Sequence, residues 1–312
     1  MTERDDRAWC IPAALPREVL AYGTEIGGAL GVGAAGKLGV LDLALAPRAG
    51  STRLIRQYQR SPLYVHRPIH LDPGRPGMAF VFLQQQGDGF VQGDRYRVDV
   101  DCAPGSAVHV TTQAATKVFK ARDDFATQLV NLRADAGAIL EYLPDPVIPF
   151  RGSRLYQRTS VTAAEDATVI LGDILLPGRV ARGEAHVYDL FWAETEVRDP
   201  DGALLFADTL RLRPGNVDDP GSPGVLGGYD VVAGLYVISS RTSPAEIVSV
   251  LRAALAGVPD VLAGVTELPA GRGAAVRLLG QRSPEVRTAV HAAWDRVRTR
   301  LLGSPAPDLR KG

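Results

Sequence analysis

Between Arg97 and Val110 the chain alternates with a period of two. Val98, Val100 and Cys102 fall on one face, and Arg97, Asp99 and Asp101 on the other. Such alternation marks a strand with one face buried. Pro104-Gly105 then reverses the chain, because proline presets φ and glycine tolerates positive φ, and Val108 and Val110 lead back along a second strand. The same strand–turn–strand outline recurs at 130–140 and 159–171. Looser copies run from Leu41 to Ile55, turning at Pro47-Arg48-Ala49-Gly50, and from Glu194 to Leu210, turning at Asp199-Pro200-Asp201-Gly202. The middle turns lie about 30 residues apart, within the range where stacked supersecondary units share one core. Their spacing is irregular, so the pattern predicts a mainly β protein of stacked β-hairpins or two packed sheets rather than a strict solenoid.

This strand grammar holds over 37–212. Residues 1–36 are rich in Gly and Ala without periodicity and are expected to form a partly ordered arm. A Pro-, Gly- and Asp-dense loop follows Arg213, and over 229–302 the pattern changes to a C-terminal part containing two α-helices. Strands are expected at 231–239, 261–268 and 274–279. Ser243-Pro244-Ala245-Glu246 reads as a helix start, with Ser243 as N-cap and Pro244 at the first helical position. Ser283-Pro284-Glu285-Val286 repeats that signal and opens a helix to about Leu302, with Val286, Val290, Ala293, Trp294, Val297 and Leu301 on or beside one stripe. Residues 303–312 read as a flexible polar tail.

A chain of 312 residues with 35 basic and 35 acidic side chains offers no electrostatic case for nucleic acid or an anionic membrane as partner. No run is long and apolar enough to span a bilayer, and no signal-peptide pattern opens the chain. Cys10 and Cys102 are the only cysteines, without metal-ribbon spacing, which suits a reducing cytoplasm.

The candidate sites need weighing against plainer roles. Gly31-Val32-Gly33-Ala34-Ala35-Gly36-Lys37 looks like a phosphate-binding loop, but Leu38 stands where Ser or Thr would hold magnesium, and strand-like sequence follows where a helix is required. It is read as a decoy. His66 and His70 have i,i+4 spacing, yet Pro68 between them opposes the helix on which they would converge. No Ser-His-Asp or Cys-His arrangement is present. Charged residues cluster in the connectors between repeats: Lys117, Lys120 and Arg122; Glu141 and Asp145; Asp173, Arg179, Arg182 and Glu184. Stacking would bring equivalent connectors to one side. A row of carboxylates there could pass a divalent metal without trapping it, while the plainer reading is a surface ion-pair network. A hydrolase using Glu141 and Glu184 as paired carboxylates is a further alternative, disfavoured by an aromatic content of 6%.

Several motifs, in this order, resemble the urease accessory protein UreD family, called UreH in some organisms. They are Gly93-Asp94, Thr111-Thr112-Gln113-Ala114-Ala115-Thr116-Lys117-Val118-Phe119, Leu140-Glu141-Tyr142-Leu143-Pro144-Asp145, Phe150-Arg151-Gly152-Ser153-Arg154, and Gly178-Arg179 with Gly183-Glu184. Tyr142 stands where the family usually has tryptophan. The resemblance implies a β-rich, non-enzymatic chaperone with no stably bound cofactor. Such a protein docks on the urease apoprotein, recruits a helical UreF-type protein and through it a UreG-type GTPase, and assists nickel insertion. On this resemblance Glu141, Asp173 and Glu184 become candidate nickel-transit ligands. Thr111, Thr112, Gln113, Lys117, Asp145 and Arg179 become candidate motif or partner-binding residues.

Overall fold

A computed structural model describes residues 6, 8–23, 36–87 and 89–311. The arm contributes a 3-10 turn at Ala8–Cys10 and one α-helical turn, α1 (Arg17–Leu20). Of the glycine-rich loop, Gly31–Ala35 lie outside the described residues. Lys37 leads straight into strand β1 (Leu38–Arg48), its backbone N–H donating to Asp94 Oδ1 at 2.8 Å. A strand therefore stands where a phosphate loop needs its helix. The purified chain is expected to bind neither GTP nor ATP, and Lys37→Ala to leave its melting temperature unchanged. Micromolar nucleotide binding abolished by that substitution would overturn the decoy reading.

Strand β1 pairs antiparallel with β2 (Ser51–Arg60) down to Arg48 opposite Ser51. Ala49 and Gly50 between them have φ of 48° and 80°, the two positive values that a tight hairpin turn demands. After β3 (Leu63–Val65) the chain winds in coils. Strands β4 (Ala79–Gln85), β5 (Gly89–Phe90) and β6 (Arg95–Cys102) make the first. The second comprises β7 (Ala107–Thr112), β8 (Thr116–Val118) and β9 (Ala126–Ala134), and the third β10 (Ile139–Tyr142), β11 (Val147–Pro149) and β12 (Arg154–Ala163). Strands β13 (Thr168–Leu175) and β14 (Leu190–Arg198) form a fourth, with a 3-10 turn at Val180–Arg182 between them.

Equivalent strands stack in parallel. Arg95 lies opposite Thr127, Ala126 opposite Leu155, and Arg154 opposite Leu190 in one sheet. Ala79 lies opposite Val108, Ala107 opposite Ile139, and Ile139 opposite Thr168 in the other. The short strands β5, β8 and β11 form a narrow third row. There Gly89 (φ 151°) is required, since a Cβ would sit 2.1 Å from the Lys117 carbonyl oxygen.

The two packed sheets expected from the sequence are present, but the three middle repeats are arches rather than hairpins. The strands on either side of Pro104-Gly105 belong to different sheets. The turn has one left-handed residue, Gly105 (φ 69°), and spans the gap between sheets, about 10 Å against about 4.8 Å between paired strands.

Strand β15 (Leu204–Leu212) folds back antiparallel on β14 and ends the first sheet, ordered β15-β14-β12-β9-β6-β1-β2. Strand β16 (Val231–Ile238) pairs antiparallel with β13, and β17 (Val261–Glu267) and β18 (Gly273–Gly280) complete the second sheet, ordered β17-β18-β16-β13-β10-β7-β4-β3. Helix α2 (Pro244–Leu255) starts as read, the Ser243 hydroxyl accepting the Glu246 N–H at 3.3 Å. Helix α3 (Ser283–Leu302) begins one residue earlier than read. Arg282 holds the cap position without a side-chain bond, and Gly303 in the left-handed conformation ends the helix.

One core lies between the sheets, built from residues such as Leu41, Val98, Val130, Leu140, Val169 and Tyr236. A second lies between the outer face of the second sheet and the helices, with Ile170, Leu235, Leu251, Trp294 and Val297. Strands β13 and β16 contribute to both, so the C-terminal part is continuous with the stack. Residues 303–311, read as a polar tail, pack on it: Ser304 is buried, and Ala306 and Leu309 cover the second core. No described helix is long and apolar enough to cross a membrane.

Candidate functional site

Inward positions in the first sheet are polar near the start of each strand, as at Gln128, Gln157 and Thr195, and apolar towards its end, as at Leu132, Val161 and Val197. A cavity of about 410 Å³ is lined by Gln84, Gln85, Tyr96, Gln113, Lys117 and Gln128 among others, and it reaches the surface at exposed Gln113 and Ala114. A smaller one of about 60 Å³ continues from it, sharing Thr112, Thr116 and Gln128 and adding Asp145, Gln157, Thr159, Asp173, Thr195 and Tyr236. Gln157 Nε2 donates to Gln128 Oε1 at 2.5 Å, linking successive coils. Beyond Tyr236, the Asp208 carboxylate of the first sheet accepts from both the Tyr236 hydroxyl and the Arg277 guanidinium of the second. The result is a polar band that crosses every coil along the stack axis.

Of the three predicted transit carboxylates, Asp173 lies on this band. Its Oδ1 accepts the Gly234 N–H at 2.7 Å. Burial raises its pKa above the usual carboxylate range, while Arg277 and the Gly234 N–H pull it back. Glu141 faces the opposite side of the second sheet, in a row across neighbouring strands in which Phe80 is opposite His109 and His109 opposite Glu141. There, fully buried, it accepts from Arg298 Nε (2.8 Å) and shares a hydrogen bond with His109 Nδ1 (2.7 Å). Glu184 sits in the connector after β13, where Arg179 grips both its oxygens at 2.7 Å. That Arg179 pairing holds the Glu184 carboxyl below its ordinary pKa. The three carboxylates are thus not brought together, and neither interior cavity is lined by Glu141 or Glu184. The pairing required by a two-carboxylate hydrolase is absent from these positions. Among the described residues no group of three or more His, Cys, Asp or Glu side chains is placed to hold a metal.

The remaining motif residues mostly fasten one coil to the next. Thr111 Oγ1 donates to the Leu143 carbonyl (2.6 Å), and Thr112 Oγ1 both accepts the Asp145 N–H (2.8 Å) and donates to its carboxylate (3.1 Å). Lys311 closes this corner from the C-terminal segment, reaching Thr111 at 2.6 Å and Asp145 at 2.7 Å. Gln113 and Lys117 stand at the mouth of the larger cavity. Buried Asp94 ties its own turn, accepting from the N–H groups of Lys37 and Val91 and from the Tyr96 hydroxyl. His66 and His70 do not converge: His66 packs edge-on against Tyr64, and His70 donates to the Thr52 carbonyl.

Sequence reasoning missed Gln128, Gln157 and Asp208. Each occupies an inward position where the alternation calls for an apolar side chain, and that mismatch was the available signal. It also missed Arg298, discussed below.

The chain matches the family described as UreD urease accessory protein over residues 37–311. It is 47% identical over 283 residues to the urease accessory protein UreD 2 of Streptomyces griseus, covering 90% of this chain and 96% of that one. To the urease accessory protein UreD of Haloarcula marismortui it is 38% identical over 290 residues, with 93% and 96% covered. To that of Cenarchaeum symbiosum it is 34% identical over 284 residues, with 91% and 99% covered.

Proposed function

The chain belongs to the UreD urease accessory protein family, and from that premise we propose that it is a cytoplasmic, non-catalytic scaffold of urease maturation. It docks on the urease apoprotein, recruits a helical UreF-type protein and through it a UreG-type GTPase, and gives nickel a path to the urease active site. The polar band through the stack interior carries this reading. Amide, hydroxyl and carboxylate oxygens bind nickel weakly beside imidazole or thiolate, which suits passage better than storage. Asp173 is the carboxylate of the band that serves as a transit ligand. Glu141 and Glu184, each engaged by arginine, hold the fold around it. Gln113 and Lys117, at the cavity mouth, are the motif residues best situated to meet a partner.

Asp173→Asn tests the path. Asparagine keeps an oxygen for the Gly234 N–H and removes the charge. A folded-state pKa raised by burial means that the native chain holds its proton to higher pH than the unfolded chain. Stability therefore falls as pH rises from the unfolded value, about 3.9, towards the higher native one. The variant should melt at or above the parent temperature at neutral pH, with the difference shrinking below about pH 4. Nickel in the matured urease should fall by roughly twofold or more, a row of weak sites tolerating one gap. Normal urease nickel at normal complex yield would leave the protein an adaptor that never touches the metal.

A further inference from the structure

The segment after α3 lays one of the chain's own cations against the polar band. Up to Leu309 it is fixed by packing. Ser304 and Pro307 are buried, the Ala306 N–H donates to Asp295 Oδ1 at 2.9 Å, and Leu309 packs on the cluster of Met78, Phe80 and Ile139. Beyond Leu309 the hold changes. Arg310 is exposed and takes φ 52°, a left-handed conformation unfavourable for a residue that carries a Cβ. Lys311 then turns in over the ends of β7 and β10. Its Nζ donates to Thr111 Oγ1 at 2.6 Å and to Asp145 Oδ2 at 2.7 Å, 5.8 Å from the centre of the Phe82 ring.

The atoms that meet this ammonium are oxygens, the donors that a hard cation takes. Thr111 Oγ1 gives its own proton to the Leu143 carbonyl, so it meets Lys311 with a lone pair. The Asp145 carboxylate also accepts from the Thr112 hydroxyl at 3.1 Å. Asp145 and Thr112 line the smaller cavity, and Thr112 lines the larger one as well. The side chains of Asp145 and Lys311 are 13% and 17% exposed, so this corner stands between solvent and the interior. Burial draws the Lys311 pKa down and Asp145 draws it back up; the carboxylate is what keeps the amine charged there.

We propose that this corner is a second port of the band, a divalent-cation site built by Asp145, Thr111 and Thr112 that Lys311 keeps filled. The chain's own ammonium is a tethered competitor there, and a metal ion enters by displacing it. Only residues 310 and 311 need to move, and their departure relieves the backbone of Arg310. A tethered group competes at an effective concentration of about millimolar, so it turns away dilute cations without sealing the port. That the cation is nickel rests on the function proposed above.

The test measures Ni2+ binding by the purified full chain in equilibrium dialysis. Lys311→Met keeps an unbranched side chain beside Phe82 and removes the competing charge, so nickel affinity should rise on the order of tenfold. Lys311→Arg keeps a cation in place and should bind as the wild type does. Adding Asp145→Asn to Lys311→Met should remove the gain. A second measurement needs no variant: acetylation of Lys311 by an amine reagent, followed by mass spectrometry, should be slow in the metal-free chain and several-fold faster with nickel, while that of exposed Lys120 stays constant. Equal affinity in wild type and Lys311→Met, a gain that survives Asp145→Asn, or Lys311 labelling indifferent to nickel would overturn the port. The path through Asp173 would still stand, since its own readout is the nickel content of urease matured with Asp173→Asn.

Discussion

Replacing Arg298 by alanine should lower the stability of the folded chain by about 3–5 kcal/mol, the range for removing one partner of a buried ion pair. Arg298 is fully buried on α3, on the stripe that otherwise carries Val286, Ala293, Val297 and Leu301. Its guanidinium donates to Glu141 through Nε, to Asp72 through Nη2, and to the Ser304 and Pro305 carbonyls through Nη1. It thereby joins four parts of the sequence: the loop before β4, strand β10, helix α3 and the segment after it. Alanine would leave two carboxylates, both nearly inaccessible, without their cation. Lysine would restore charge but not the planar fork that serves all these acceptors, so Arg298→Lys should recover little. Arg298→Met combined with Asp72→Asn and Glu141→Gln should recover much of the loss, because the charges then disappear together. Denaturant midpoints for the four proteins decide it. A loss below about 1 kcal/mol in Arg298→Ala, the level of an exposed pair, would show that the network does not hold the helix to the sheet.

Arg298 also shows where reading the sequence stops. Periodicity places it on the buried stripe of α3, but a long charged side chain at such a position is usually resolved by snorkelling to solvent. Only its partners reveal that it stays inside, and they come from 157 and 226 residues away in sequence. The strands themselves were legible: β6 has the alternating burial that Val98, Val100 and Cys102 announce. Their pairing was not, because alternation names a face and never a neighbour. The Ala49-Gly50 turn and the Pro104-Gly105 turn look alike in composition, yet the first closes a hairpin and the second bridges two sheets. The motif carboxylates were found for similar reasons and misplaced for similar reasons. Glu141 and Asp173 sit on adjacent parallel strands, but one faces the helices and the other the interior, and a one-residue change of phase separates those outcomes.

Trp294→Ala should destabilise the chain by about 3–5 kcal/mol, the usual consequence of emptying a large aromatic site in a packed core. Trp294 is 4% exposed and belongs to the core between the second sheet and the helices. Its ring lies 5.3 Å from that of His109, which on its other side stacks on Phe80 at 5.1 Å, while His291 meets the indole edge-on at 5.7 Å. The indole is thus the wedge that keeps His109 against Glu141, and its loss would loosen the Arg298 network as well as open a void. The two substitutions should be non-additive for that reason, their combined effect falling short of the sum. The indole Nε1 has no hydrogen-bond partner among the described residues, so Trp294→Phe forfeits volume but no hydrogen bond. Its loss should be clearly smaller than that of Trp294→Ala, because phenylalanine leaves the smaller void. Thermal melting of both variants, with a pull-down of the UreF-type protein alongside, separates packing from contact. A melting temperature unchanged in Trp294→Ala with partner binding lost would assign this helix to an interface instead of the core.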